Sequence, residues 1–402
     1  MIPFLALELQ VSAPALFPFA PPSVASEEPL VATVDTSGNL ALAWRDRVGD
    51  TESLNTAFYH HGLWHTLPPL PVADSHIHHL RGGWDATGHL WVLWDSDGES
   101  SRFYTSGPLS ESTEKWLLAS PQHIPHPVVT CRGHLRALSR SFLPDMPQLT
   151  SSWDVHELDL ATHTHTLHSL GVSVGAGDPQ FAANHAHSEC AIWPISTEGH
   201  FAAAARHSDG SWHSRGTFAV EAPFTSVHCT ALDGQDTFWV IGSIPLADPP
   251  AYWVAQGFAN GTWSAPSFFP EIVRPYSLEI AVDRFGNGVL VWATSDGVFC
   301  VSKPSEAPWS APLRLGTFGA TSPQVQVDHR GQFLLIWQEP AQNNVQGCIF
   351  SALSETWSSA QTLFASPRPF GLQELLLNEN GQGALIGRDS LPQWVVLPIA
   401  LP

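Results

Sequence analysis

Pro323-Gln-Val-Gln-Val-Asp328-His-Arg-Gly331-Gln-Phe-Leu-Leu-Ile-Trp337 is followed, after a polar loop, by Val345-Gln-Gly-Cys-Ile-Phe350 and, after a Ser/Glu turn, by Trp357-Ser-Ser-Ala-Gln-Thr-Leu363. Four short runs rich in β-branched, aromatic and aliphatic residues, separated by turn residues, spell a four-stranded antiparallel meander. The run ending in Trp337 is apolar on both faces, as a strand sandwiched between neighbouring sheets must be. One such sheet cannot bury both faces alone, so the chain has to stack copies of it.

The copies are legible on both sides of this stretch. First-hairpin turns recur at Asp35-Thr-Ser-Gly38, Asp85-Ala-Thr-Gly88, Cys131-Arg-Gly133, a degenerate turn near His185 to Ser188, Asp233-Gly234, Asp283-Arg-Phe-Gly286, Asp328-His-Arg-Gly331 and Asn378-Glu-Asn-Gly381. The steps average about fifty residues, the size of one four-stranded propeller blade. Second strands end in Trp44, Trp94, Trp193, Trp292 and Trp337, and fourth strands open on Trp64, Trp116, Trp212, Trp263, Trp309 and Trp357. Such regular placement points to packing between blades before sugar stacking. Trp84 and Trp153 fall outside the pattern and are the candidates for exposed aromatics.

The expected fold is therefore all-β: one β-propeller domain over residues 1–402, with blades at 29–71, 75–124, 125–170, 176–219, 224–269, 275–316, 320–364 and 369–402. Three strands exhaust the last unit, and Val11-Ser12-Ala13-Pro14-Ala15-Leu16 repeats the missing fourth-strand phrase. Residues 1–17 are thus expected to complete the last blade and close the ring, removing two sheet edges. Blades three and four fit worst, and if one is an insertion the count is seven.

Composition narrows the function classes. A net charge of −20, with lysine only at Lys115 and Lys303, leaves no basic stripe for phosphate neutralisation and excludes nucleic acid. The same field disfavours anionic lipid. Met1-Ile-Pro-Phe-Leu-Ala-Leu-Glu8 lacks a basic residue ahead of its apolar run, so neither a signal peptide nor a membrane span is expected. Five widely spaced cysteines without Cys-x-x-Cys are expected as buried free thiols, which favours a reducing, cytoplasmic compartment. A monomer without a cofactor is expected.

With its Asp-x-x-Gly turns, strand-ending Trp and the phrases Trp263-Ser-Ala-Pro266, Trp309-Ser-Ala-Pro312 and Trp357-Ser-Ser-Ala360, the chain resembles bacterial β-propellers grouped loosely with the sialidase-like superfamily. The resemblance lies in scaffold residues and implies a fold. Sialidases themselves match less well: the nearest text to their Asp box is Ser208-Asp209-Gly210-Ser211-Trp212, and His123-Ile124-Pro125 stands where the family has Arg-Ile-Pro. A sialidase-like site would draw on Tyr276, Arg274 and Arg368.

Loops joining blades, and those joining second to third strands, share one face in a propeller, and residues from different blades converge there. Histidines fall on that face at His76, His78, His79, His123, His126 and His228. A His-x-His pair in extended chain points both rings to one side, about 7 Å apart, which makes His76 and His78 candidate metal ligands. Acids follow the second strands at Asp46, Asp95, Asp97, Asp296 and Glu339, a ring attractive to a cation or a basic partner. No nucleophile elbow, phosphate loop or dinucleotide fingerprint occurs. The expected function is a non-enzymatic binding module holding a protein or glycan on that face; a sialidase-like enzyme and a His-ligated metal propeller are the alternatives.

Overall fold

In the computed structural model, the described residues are 10–11, 15–16, 30–48, 51–60, 63–72, 77–84, 90–96, 99–106, 116–117, 123–131, 134–142, 150–159, 165–174, 179–184, 188–206, 211–220, 222, 225–248, 250–389 and 394–402. They form eight antiparallel sheets of four or five strands, with one short 3-10 turn at Pro340–Gln342 as the only helical piece among them. Among the described residues no helix is long and apolar enough to cross a membrane.

The strands follow the meander order. In the seventh sheet Thr321–Val327 pairs with Gln332–Glu339, which pairs with Asn344–Ser351, and Thr356–Trp357 and Gln361–Ala365 both close on that third strand. The poorly fitting stretch is also a sheet: His123–Cys131, His134–Phe142, Thr150–Asp159 and His165–Val174 pair in order. In the last sheet Trp394–Ala400 pairs on its outer edge with Gln10–Val11 and with Ala15–Leu16.

First strands of consecutive sheets lie against one another, and Leu30–Val34 touches both Ile77–Trp84 and Phe370–Leu377, so the first sheet neighbours the second and the last. The core is accordingly a series of layers between sheets. One joins Leu334, Ile336 and Ile349 of the seventh sheet to Leu375, Leu385 and Leu397 of the eighth, and another joins Leu40 and Leu42 of the first to Ala384, Ile386 and Val396 of the eighth.

Tryptophan does the packing that its regular placement predicts. Trp193, Trp292 and Trp337 are buried. Trp309 meets Trp239 and Phe269 of the preceding sheet edge-on at 6.0 and 5.4 Å, and Trp263 stacks on Phe218 at 5.0 Å. The serine that follows Trp263, Trp309 and Trp357 has a role the residue pattern did not reveal. Ser264, Ser310 and Ser358 accept Gln256 N, Ser302 N and Ile349 N on their hydroxyls at 2.9, 3.0 and 2.9 Å, and each donates its own N–H to a third-strand carbonyl. A hydroxyl thus replaces the ladder acceptor where the following Ala-Pro or Ser-Ala leaves the strand.

Cys190, Cys229, Cys300 and Cys348 are free, and burial raises the pKa of each, to about 12 for Cys190 and Cys300. A thiol so shielded is inert as a nucleophile.

Candidate functional site

One carboxylate geometry is repeated at the first-hairpin turns. Oδ1 of Asp35 accepts the amides of Ser37 and Asn39 at 2.8 Å, Asp233 those of Gln235 and Thr237 at 2.8 Å, and Asp283 those of Phe285 and Asn287 at 2.9 Å. Asp328 holds Arg330 and Gln332 at 2.9 Å, and Asn378 does the same for Asn380 and Gln382 with a neutral amide. Aspartate and asparagine favour this because their short side chain reaches the backbone two residues on. Gly286, Gly331 and Gly381 take φ near +80° at the fourth position, where a Cβ would be strained.

Two turns differ from expectation. The degenerate one is organised by Asn184, whose Oδ1 accepts Ser188 N at 2.9 Å. In the Asp233 turn the left-handed position is Asp236, φ 62°, rather than Gly234. Gly234 serves a different need, since a Cβ there would lie 2.7 Å from Arg284 Cβ on the next sheet.

The turns are also bonded to one another. Asn184 Nδ2 donates to Asp233 O at 2.5 Å, His329 N to Glu379 O at 2.9 Å, Asn378 Nδ2 to Asp35 O at 2.8 Å and Asn380 Nδ2 to Thr36 O at 2.8 Å. The last two join the eighth sheet to the first. A cavity of about 610 Å³ opens among these turns, walled by Asn184, Gly234, Arg284, Phe285, His329, Glu379 and Asn380, with Leu232 and Val282 from strand ends. Its rim therefore comes from five neighbouring sheets and stands on side-chain-clamped backbone.

Arg284 lies over the ring of Phe285, 4.6 Å from its centroid. His329 Nδ1 meets the Glu379 carbonyl, which only accepts, so Nδ1 carries the proton and Nε2 is left for another partner. Arg330 is engaged from behind, its Nε on Asp328 Oδ2 at 2.8 Å. Burial pushes Asp283 above the usual carboxylate range, against the hydrogen bonds from Asn287 and Phe285 that favour its charged form.

None of the described residues expected to form the site lines this cavity. Val282 reaches it from the far end of Ser277–Val282, whereas Arg274 and Tyr276 precede that strand at its other end. Both are exposed, as is Arg368 before Phe370–Leu377. His228 is exposed on Ser226–Leu232, its Nε2 2.8 Å from Ser243 Oγ and its ring 6.0 Å from Tyr252; desolvation lowers its pKa. Asp296 is exposed and Asp46 half-buried on Leu40–Val48.

Two expectations are corrected. Glu339, expected among solvent-facing acids, is buried and accepts Thr317 N at 3.0 Å, Thr317 Oγ1 and Trp337 Nε1 at 3.1 Å, so it pins an inter-sheet loop. Trp84, expected as an exposed aromatic, is half-buried against Phe58 at 5.6 Å, because the end of a first strand faces the neighbouring sheet.

His76 and Asp97 lie outside the described residues. His78 and His79 lie on Ile77–Trp84, His126 on His123–Cys131 and Asp95 on Leu90–Ser96. Among the described residues no three His, Cys, Asp or Glu side chains gather as a metal site. What the residue pattern could have shown is the pair between Asp and Gly in each turn, since Arg284-Phe285, His329-Arg330 and Glu379-Asn380 vary while their frame does not.

No family model matches the chain, and no curated protein matches it in sequence. Solved structures do, and they are β-propellers. The lectin BP39L from Burkholderia pseudomallei is 10% identical with a TM-score of 0.52, covering 83% of this chain and 98% of its own. Sqt1 from Chaetomium thermophilum, solved bound to the N-terminus of ribosomal protein L10, is 10% identical with a TM-score of 0.57, covering 93% and 96%. The chain is thus an all-β protein with the fold of the β-propellers, similar in fold to a lectin and to a protein solved with a peptide terminus.

Proposed function

We propose that the chain is a closed, eight-bladed propeller, its last blade completed by the N-terminal strand, and that it is a non-enzymatic binding module whose ligand or partner seats at the mouth framed by the first-hairpin turns. The observation that carries this reading is the cavity itself. Its frame is rigid and repeated, while the side chains it presents differ from turn to turn, which is how a repeat scaffold acquires a specific site. The pairing of Trp394–Ala400 with the two N-terminal segments, and the bonds from Asn378 and Asn380 into the first sheet, support closure. The lectin and the peptide-bound Sqt1 support binding as the kind of function, with a glycan or a protein segment as the ligand.

Screening the protein on glycan and peptide arrays tests this, with Phe285→Ser as the mouth variant. A ligand captured by the wild type and lost on Phe285→Ser is expected. The sialidase-like alternative rests on Tyr276, Arg274 and Arg368 and predicts turnover of a fluorogenic sialoside that Tyr276→Phe abolishes; such turnover would replace the binding reading.

A further inference from the structure

We infer that this mouth takes a small organic monoanion, a single carboxylate carried on a ring, with the carboxylate on Arg284 and the ring against Phe285. The inference rests on the mouth being the binding site and specifies its ligand. Among the described residues the Arg284 guanidinium makes no hydrogen bond or ion pair, and it lies over the Phe285 ring. That contact occupies a face of the guanidinium and leaves its edge, where the N–H donors match a carboxylate in bidentate fashion.

The carboxylates of the Arg284 turn and of the next are engaged elsewhere. Asp283 holds three hydrogen bonds, Phe285 N and Asn287 N on one oxygen and Asn287 Nδ2 on the other at 2.7 Å, and Asp328 is taken by Arg330 and two amides. With those two acids bonded to their own turns, Arg284 brings a cation to the cavity wall of a chain whose net charge is −20.

Three further features restrict the ligand. Phe285 is 47% exposed, so part of its ring is open to a flat group. Glu379 lines the same cavity beside His329 and penalises a second negative charge, and the overall field repels a polyanion. The volume lies within the roughly 300–1,000 Å³ of small-molecule sites. His329, held by its Nδ1 bond, offers Nε2 to a hydroxyl on the ring.

Isothermal titration calorimetry with benzoate, galacturonate and neutral benzyl alcohol tests the inference, and the two acids distinguish an aromatic from a sugar carrier. Submillimolar binding of at least one acid, but not of benzyl alcohol, is expected. Arg284→Gln should weaken it at least about tenfold and Phe285→Ser several-fold, whereas Arg314→Gln, beside the Asp296 carbonyl at the other end of the sixth sheet, should bind as wild type. Failure of both acids to bind, or full binding by Arg284→Gln, overturns the inference. A neutral probe lost on Phe285→Ser but retained on Arg284→Gln overturns the anion while keeping the mouth; binding indifferent to both substitutions overturns the mouth as well.

Discussion

Asp283 collects two backbone amides on one oxygen, and Asn378 does so with a side-chain amide in the equivalent turn. The geometry, rather than the charge, therefore organises the turn. Asp283→Asn should cost under about 1 kcal/mol in urea unfolding, whereas Asp283→Ala, which leaves both amides without their acceptor, should cost about 2 kcal/mol or more. Glu339→Ala should be at least as severe, about 3 kcal/mol, because it strips acceptors from Thr317 and the Trp337 indole inside the protein, and it should leave ligand binding at the mouth intact.

Glu279 carries a pH dependence of defined sign. Burial pushes its pKa up to about 7, Glu374 adds to this, and the Val325 N–H bonded to Oε2 at 3.2 Å opposes it. A folded pKa above the unfolded one means that the native state holds the proton more tightly. The contribution to stability is then full below about 4.5 and is lost as pH rises towards about 7. Glu279→Gln should flatten the decline in melting temperature between acid and neutral pH, since Gln324, one sheet on, makes the corresponding bond to Leu375 N with an amide.

At the scale of elements, the third-to-fourth strand connection depends on a hydroxyl. Ser310→Ala should leave Ser302 N without its acceptor and cost about 1 kcal/mol. The larger effect belongs to the N-terminal strands. Deleting residues 1–16 removes both segments paired to Trp394–Ala400 and bares that edge. An exposed edge recruits other chains, so size-exclusion chromatography should show aggregate in place of a single species, and a synthetic peptide spanning residues 8–17 should restore it. A soluble, fully stable truncation would argue against closure by this strand. The pairing of the N-terminal segments with the last sheet was legible because the Val11 to Leu16 phrase echoes the fourth strands elsewhere. The serine clamp was not, because a serine in an edge strand looks like any solvated residue until its partner strand is in place.

At the scale of the whole molecule, core layers lie between sheets and include one between the first and last, so stability is shared around the array and loss of any layer is felt by both neighbours. If the histidines served as metal ligands, chelation would lower the melting temperature; with a mouth built on Arg284 and Phe285, EDTA and zinc are expected to leave it unchanged.

By itself the chain's residue order determined the all-β repeat, the turn positions, the tryptophan layers and the return of the N-terminus to the last sheet. These follow from short-range chemistry: strand alternation, Asp and Gly in tight turns, and apolar faces that must be covered. Only the tertiary structure decided that the described cavity opens at the first-hairpin end, that Gly234 makes room for Arg284, and that Glu339 is consumed inside. The first two depend on residues from units about fifty residues apart meeting across a sheet boundary, and the third on a loop between sheets folding back onto the sheet that follows it. The distance between two turns on different sheets is set by how the sheets pack, which no local pattern encodes.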